Sequence, residues 1–76
     1  MIAPFYVVSS NIDAVGYQRG TLYIRFKSGC SYSYDKVPFT IYDVLTKVES
    51  AGKAFHQMVK GKFSYTKLEQ DPFVRS

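Results

Sequence analysis

The stretch Thr21-Leu22-Tyr23-Ile24-Arg25-Phe26-Lys27 decides the fold of this chain. Leu22, Ile24 and Phe26 alternate in it with Tyr23, Arg25 and Lys27. Apolar residues at every second position are the signature of a strand with one buried face. The first set of side chains is therefore predicted to face a core and the second set to face away from it.

Two shorter strands flank this one in the sequence. Residues 12–17 precede it across the turn Gln18-Arg19-Gly20, and residues 30–34 follow it across Lys27-Ser28-Gly29. Turns that contain glycine between such runs are typical of antiparallel hairpins. The first half of the chain is thus predicted to form a three-stranded antiparallel meander with one face toward the core.

Two amphipathic helices are predicted after the meander. Pro38 suits the first turn of a helix that runs to about Glu49, with apolar residues at helical spacing between them. Ser50 is a predicted N-cap for a second helix over residues 51–60. Phe63 and Tyr65 then alternate with Lys62, Ser64 and Thr66, which predicts a short closing strand or an extended tail. The predicted fold class is α+β: a three-stranded antiparallel meander, then two helices packed on one face, then a short extended C-terminal segment.

The length of 76 residues leaves room for one domain. We divide the chain into an N-terminal extended arm (1–8), an α+β domain (9–68) and a C-terminal tail (69–76). No apolar run approaches the roughly 20 residues of a membrane span, and the first residues do not resemble a signal peptide. Cys30 is the single cysteine, which excludes an internal disulfide. These features predict a reducing, cytoplasmic location and no membrane association.

The net charge of +4 is concentrated in one segment. Residues 50–68 contain four lysines and no acidic residue, whereas residues 1–49 carry +1 and residues 69–76 carry −1. Concentrated positive charge attracts anions in a salt-dependent way. The alternative interpretation is a solvated face that only keeps the protein in solution.

The residue types of common enzyme sites are scarce. The chain has one histidine, His56, and one cysteine, Cys30, and its acidic residues are dispersed singly. A nucleophilic pair, an acid–base pair or a metal site each needs such groups close together. The five glycines are isolated and form no phosphate-binding motif. The sequence therefore predicts no catalytic activity, no metal and no cofactor.

Cations interleaved with aromatic residues are the remaining constellation. Lysine and arginine hold phosphates, and flat rings stack on bases, so a nucleic-acid ligand needs both together. The predicted ligand-binding residues are Lys53, His56, Lys60, Lys62, Tyr65, Lys67, Arg25, Lys27 and Tyr23. Tyr32 and Tyr34 have two open interpretations, as core side chains or as an exposed stacking platform.

An ordered set of short motifs resembles the KTSC domain. It comprises Ser9-Ser10-Asn11-Ile12, Ala14-Val15-Gly16-Tyr17, Thr21-Leu22, Phe26, Ser28-Gly29, the central Tyr32-x-Tyr34, Val37-Pro38, Tyr42, Gly52-Lys53, Phe55 and Gly61-Lys62-Phe63-x-Tyr65. The resemblance covers about residues 8–68. It departs at Cys30, where the family often has glycine or an apolar residue, and at Phe63, where tyrosine is usual. The resemblance implies a small domain that occurs at the C-terminus of some lysyl-tRNA synthetases and as stand-alone proteins of bacteria and phages. It also implies RNA binding, through the synthetase connection.

Three hypotheses follow from these observations. The first is a non-catalytic binding module for phosphate-bearing ligands, with RNA or another nucleic acid as the first candidate. The second is a small phage-type protein that sequesters a nucleotide defence signal, possibly a cyclic one, at an oligomer interface. The third is a protein-interaction module that docks on a host protein, or on its own copies, through the apolar arm Ile2 to Val8.

Overall fold

The computed structural model describes residues 2–73, which form one antiparallel sheet and two helices. Along the chain the elements are β1 (Phe5–Tyr6), β2 (Ile12–Gln18), β3 (Thr21–Phe26), β4 (Ser31–Tyr34), α1 (Phe39–Lys47), α2 (Ala51–Met58) and β5 (Tyr65–Leu68). The strands lie in the order β1-β2-β3-β4-β5. The predicted α+β class, the antiparallel meander and both helices are confirmed.

The predicted number of three strands is wrong, because the sheet has five. The extended segment after α2 pairs with β4 as β5, with Tyr65 opposite Tyr34 and Lys67 opposite Tyr32. Part of the predicted arm pairs with β2 as β1. Alternation identifies strands of about four to eight residues, and a two-residue strand such as β1 is too short to show it. Both added strands lie at the edges of the meander.

Two tight turns set the register of the meander. Gln18 pairs with Thr21, so Arg19 and Gly20 form a two-residue loop, and their φ angles are 52° and 81°. Two consecutive positive φ angles are the geometry whose twist matches antiparallel strands. The second turn is closed where the Phe26 N–H donates to the Cys30 carbonyl at 2.8 Å. Its central residues include Lys27 and Ser28, which it places at one end of the sheet.

Both helices lie over the same face of the sheet. Strand residues Ile12, Val15, Leu22 and Ile24 form one buried cluster with helix residues Leu45 and Phe55 and with Val59 just beyond α2; Tyr34 and Val37 complete it. The Ser50 hydroxyl accepts the Lys53 N–H at 3.5 Å and caps α2, as predicted. Lys53, His56 and Gln57 are exposed on the outer side of α2.

The second face of the sheet is covered by the two ends of the described chain. Ile2 forms a parallel bridge with Phe73, and its N–H donates to the Pro72 carbonyl at 3.1 Å. The Phe73 ring is fully buried. It lies over Gly16, where an added Cβ would be 2.6 Å from Phe73 Cε1 and 2.7 Å from Ile2 Cγ2. Residues from the predicted arm and the predicted tail are therefore both packed on the sheet.

Candidate functional site

A cleft of about 640 Å³ opens between α2 and the end of the sheet that carries the β3–β4 turn. This volume lies in the range of small-ligand sites, which is about 300–1,000 Å³. Five aromatic side chains line it, namely Phe26, Tyr32, Tyr34, Phe55 and Tyr65. The polar lining comprises Ser10, Asn11, Lys27, Ser28, His56 and Lys60.

The five rings contact one another in a closed circuit. Starting at Tyr65, ring centroids are 5.7 Å apart to Tyr34, 5.5 Å from Tyr34 to Phe55, 5.8 Å from Phe55 to Phe26, 5.7 Å from Phe26 to Tyr32 and 5.9 Å from Tyr32 back to Tyr65. We call this set the ring circuit. Edge-to-face and tilted pairs at such distances are favourable, so each ring holds its neighbours in place.

The members of the ring circuit differ in exposure. Tyr34 is 6% exposed, and burial, reinforced by the neighbouring Tyr32 and Tyr65, raises the pKa of its hydroxyl. Tyr65 is 63% exposed at the sheet edge. The circuit thus combines buried rings that fix the shape of the cleft with an outer ring that is accessible to a ligand. Of the two central tyrosines, Tyr34 is buried in the core and Tyr32 is half-buried in the cleft wall, so neither forms an exposed platform.

Backbone hydrogen bonds position the polar wall. The Ser9 hydroxyl accepts the N–H groups of Asn11 and Ile12, each at 3.1 Å. The Lys27 N–H donates to the Asn11 carbonyl at 2.8 Å, and the Ala51 N–H donates to the Val8 carbonyl at 3.3 Å. These bonds join the loop before β2 to the β3–β4 turn and to the start of α2. Asn11 and Lys27 are thereby held at the mouth of the cleft.

A second, smaller cleft of about 300 Å³ adjoins the first. Three residues line only the second cleft, namely Ser50, Lys53 and Gln57. Four residues line both clefts, namely Ser10, Asn11, Gly52 and His56. Among the described residues, no phenylalanine or tyrosine lines the second cleft. No aspartate or glutamate among them lines either cleft. The two clefts form one groove along α2 with cationic and neutral side chains.

The structure brings most of the predicted ligand-binding residues to this side of the molecule. Lys27, His56, Lys60 and Tyr65 line the first cleft, and Lys53 lines the second with His56. Lys67 is exposed on β5 opposite Tyr32, and Lys62 is exposed in the turn after α2; neither lines the groove. The ion pairs described within residues 2–73 use Arg25 and Lys47 instead of these lysines.

Arg25 and Tyr23 are not brought to the groove. They alternate with the core residues of β3 and project from the second face of the sheet. Arg25 NH1 lies 2.6 Å from Asp71 Oδ2, and Arg25 NH2 lies 2.8 Å from Asp13 Oδ2. Burial lowers the pKa of the Arg25 guanidinium, but hydrogen bonds to Asp71 and Asp13 outweigh it and leave the pKa above its ordinary value. The predicted surface that joined Arg25 to the lysines is therefore divided between the two faces.

Sequence reasoning missed part of the groove. Ser10, Asn11, Phe26 and Phe55 belong to the motifs that carry the family resemblance, but none of them is among the predicted ligand-binding residues. The polar residues Ser10 and Asn11 directly before β2 could have indicated a site, but their closeness to α2 follows only from the tertiary fold. Cys30 and His56 both line the first cleft, yet no hydrogen bond joins them among the described residues.

Comparisons with known proteins identify the family. The family model of the KTSC domain matches residues 8–63, so the chain belongs to the KTSC domain family. The resemblance seen in the sequence is thereby confirmed. A crystal structure of a KTSC domain protein from Yersinia pestis has 31% sequence identity and a TM-score of 0.80, and the match covers 90% of this chain and 99% of that chain.

Relatives include domains of much larger proteins. The lysine–tRNA ligases of Trichormus variabilis and a Nostoc species are 46% and 44% identical over 48 residues, which is 63% of this chain and 9% of each ligase. A small protein of Tsukamurella paurometabola is 39% identical over 59 residues, 75% of this chain and 88% of that protein. The KTSC domain thus occurs both within lysine–tRNA ligases and in small proteins.

Within residues 2–73 neither helix has the length and apolar character needed to cross a bilayer.

Proposed function

We propose that this chain is a non-catalytic binding module for phosphate-bearing ligands and that its preferred ligand is single-stranded RNA. The carrying observation is the ring circuit beside exposed lysines in one groove. Aromatic rings offer stacking surfaces to unpaired bases, and lysines offer ionic contacts to phosphates. Support also comes from the relatives that are lysine–tRNA ligases, whose name gives a tRNA as the substrate.

Lysines around the groove supply the electrostatic part of this function. Lys27 and Lys60 flank the ring circuit, Lys53 lies in the adjoining cleft, and no acidic side chain lines either cleft within the described residues. Each phosphate contact to single-stranded nucleic acid contributes about −0.7 to the slope of log affinity against log salt. Three contacts therefore give an expected slope of about −2 for the groove.

The proposal is tested by fluorescence anisotropy with a labelled 12-nucleotide single-stranded RNA of mixed sequence at 50 and 200 mM salt. Lys60→Gln and Lys27→Gln are each expected to weaken binding and to reduce the salt slope by about 0.7. Lys47→Gln is the matched control, because Lys47 is an exposed lysine of α1 that pairs with Asp43 and does not line the groove. Equal effects of the three substitutions, or no binding by the unmodified chain, would contradict the proposal.

Stacking is tested separately with two tyrosines of equal exposure. Tyr65 in the groove is 63% exposed, and Tyr6 on β1 is 62% exposed and lies at the other edge of the sheet. Loss of one base–ring stack costs about 1–3 kcal/mol, so Tyr65→Ala should weaken RNA binding about 5- to 150-fold. Tyr6→Ala should leave it unchanged. Similar RNA affinities of the two variants would contradict the proposal that a base stacks on the ring circuit.

The other two hypotheses predict different results in the same experiments. A protein that sequesters a free nucleotide would bind the mononucleotide as tightly as the 12-nucleotide RNA, with a small salt slope. Docking through the arm would need Phe5 and Tyr6, whose backbone already pairs with Val15 and Ala14 of the same chain. No specific feature of the groove favours nucleotide sequestration or protein docking, so RNA remains the proposed ligand.

A further inference from the structure

The chemistry of the two adjoining clefts differs along the groove. The first cleft contains the ring circuit, with Lys27 and Lys60 in its wall. The wall unique to the second cleft consists of Ser50, Lys53 and Gln57, a hydroxyl, an ammonium and an amide. Rings suit a base, whereas a small polar cleft with a lysine suits a ribose and a phosphate. The groove is therefore not one uniform surface.

The lysines of the two clefts are separated along α2. Lys53 lies in its first turn, about 7.5 Å along the axis from the last helical residue Met58 at 1.5 Å per residue, and Lys60 follows two residues later. His56 lies between them and lines both clefts. A base in the ring circuit would thus have Lys60 toward the end of α2 and Lys53 toward its start, where the Lys27 backbone is joined to Asn11.

We infer that the groove binds one internal nucleotide of a strand, with its base in the ring circuit and its two phosphates held separately by Lys60 and Lys53. This inference rests on the proposed function and specifies its ligand: a nucleoside unit that carries phosphates at both the 3′ and the 5′ position. A free mononucleotide fills only one of the two phosphate positions. Gly52 lines both clefts, and the lack of a Cβ there lets the Ser9 hydroxyl pack against the start of α2, since an added Cβ would be 2.9 Å from Ser9 Oγ.

Titration calorimetry with three small probes tests this inference. The probes are adenosine 5′-monophosphate, adenosine 3′-monophosphate and adenosine 3′,5′-bisphosphate, with the uridine series measured in parallel so that base preference does not decide the result. The bisphosphate of at least one series is expected to bind about tenfold or more tightly than either of its monophosphates. A bisphosphate that binds no more tightly than the better monophosphate would overturn the inference.

Substitutions assign each phosphate to its lysine. Lys53→Gln and Lys60→Gln are each expected to weaken the bisphosphate several-fold and to weaken opposite monophosphates, one the 3′ and the other the 5′ compound. Lys47→Gln serves again as the control and should change none of the affinities. If both substitutions weaken the same monophosphate, the two phosphate positions are not separate and the inference is wrong.

The result is distinguishable from failure of the proposed function. If none of the six probes binds while the 12-nucleotide RNA still binds with sensitivity to Lys60→Gln, the internal-nucleotide site is refuted and RNA binding stands. If the RNA does not bind either, the proposed function fails together with the inference.

Discussion

At the scale of single residues, Asp13 controls which side chains of β2 face the core. Ile12 pairs with Phe26 and Ala14 pairs with Arg25, so Asp13 is an extra residue that forms a β-bulge. The bulge puts both Ile12 and Val15 in the helix-covered core although they are three positions apart. It also brings the Asp13 carboxylate to Arg25, whose Nε donates to Asp13 Oδ2 at 2.9 Å.

Arg25 gives a prediction that separates stability from binding. Its guanidinium joins Asp13 on β2 to Asp71 near the end of the described chain and lies 5.2 Å from the Phe73 ring centroid. Arg25→Gln removes charged hydrogen bonds and should lower the free energy of unfolding by about 1–3 kcal/mol. RNA affinity should not change under folding conditions, because Arg25 is not in the groove. Urea unfolding and anisotropy measure the two effects, and a large loss of affinity in the folded variant would return Arg25 to the ligand site.

Ser31 gives a prediction of opposite sign. Its hydroxyl is buried, and its oxygen has no hydrogen-bond partner within the described structure. Because a buried hydroxyl without a partner is destabilising, Ser31→Ala should raise the free energy of unfolding by about 1 kcal/mol. Ser33→Ala, on the same strand at a half-buried position, is the comparison and should have a smaller effect. A lower stability of Ser31→Ala in urea unfolding would show that the hydroxyl has a partner in solution.

At the scale of elements, residues Asp71 to Phe73 form a strap across the second face of the sheet. The Asp71 side chain accepts the Phe73 N–H at 3.0 Å and also pairs with Arg25, and this places the Phe73 ring over Gly16. A side chain at position 16 would collide with the end of that ring. The fit of the strap therefore depends on the absence of a Cβ at Gly16.

Gly16→Ala should act through the strap and not through the strand. In the full chain the new methyl group displaces Phe73 and Ile2, and overpacking of this kind costs about 1–3 kcal/mol. Phe73→Ala alone should cost about 3–5 kcal/mol, as loss of a buried phenylalanine does. With Phe73→Ala already present, Gly16→Ala should cost less, because only the contact with Ile2 remains. Additive losses in a double-mutant cycle would show that Phe73 is not the reason for a glycine at position 16.

At the scale of the whole molecule, the sheet separates the face with the candidate groove from the face covered by Ile2 and Phe73, which we call the closed side. The helices, the ring circuit and the groove lysines lie on one face, whereas the strap and the Arg25 ion pairs cover the other. Within residues 2–73, carboxylates thus neutralise Arg25 on the closed side, whereas no ion pair involves the groove lysines. We therefore expect the proposed anionic ligand on the face with the groove.

Alkaline pH should destabilise the whole domain through two tyrosines whose hydroxyl pKa is raised in the folded state. Burial raises the pKa of the Tyr42 hydroxyl, and burial together with Tyr32 and Tyr65 raises that of Tyr34. The ordinary tyrosine pKa is about 10. Well below pH 10 both hydroxyls are neutral in the folded and the unfolded state, so they do not make the free energy of unfolding depend on pH there. As the pH rises through 10, the unfolded chain ionises first, and stability falls until the higher native pKa is passed.

Urea unfolding at pH 9 and pH 11 checks this expectation. The unmodified chain should lose stability between the two values, and the variant Tyr34→Phe/Tyr42→Phe should lose less because neither side chain can ionise. The difference between the two pH values is the relevant quantity, since the substitutions also change stability at neutral pH. An equal loss in both proteins would show that other groups cause the alkaline transition.

Local pattern was sufficient to predict the meander, both helices and the cationic, aromatic character of the site, because alternation, helical spacing and residue type are properties of short segments. The sequence by itself also determined the excess of lysines in residues 50–68. Only the tertiary structure decided that β1 and β5 pair with the meander, that the bulge at Asp13 shifts the facing of β2, and that Phe73 covers the face from which Arg25 projects. It also decided that Asn11, Lys27 and His56 meet in one groove. These outcomes depend on contacts between residues far apart in the chain, and the free energy of such contacts is set by packing that no local window contains.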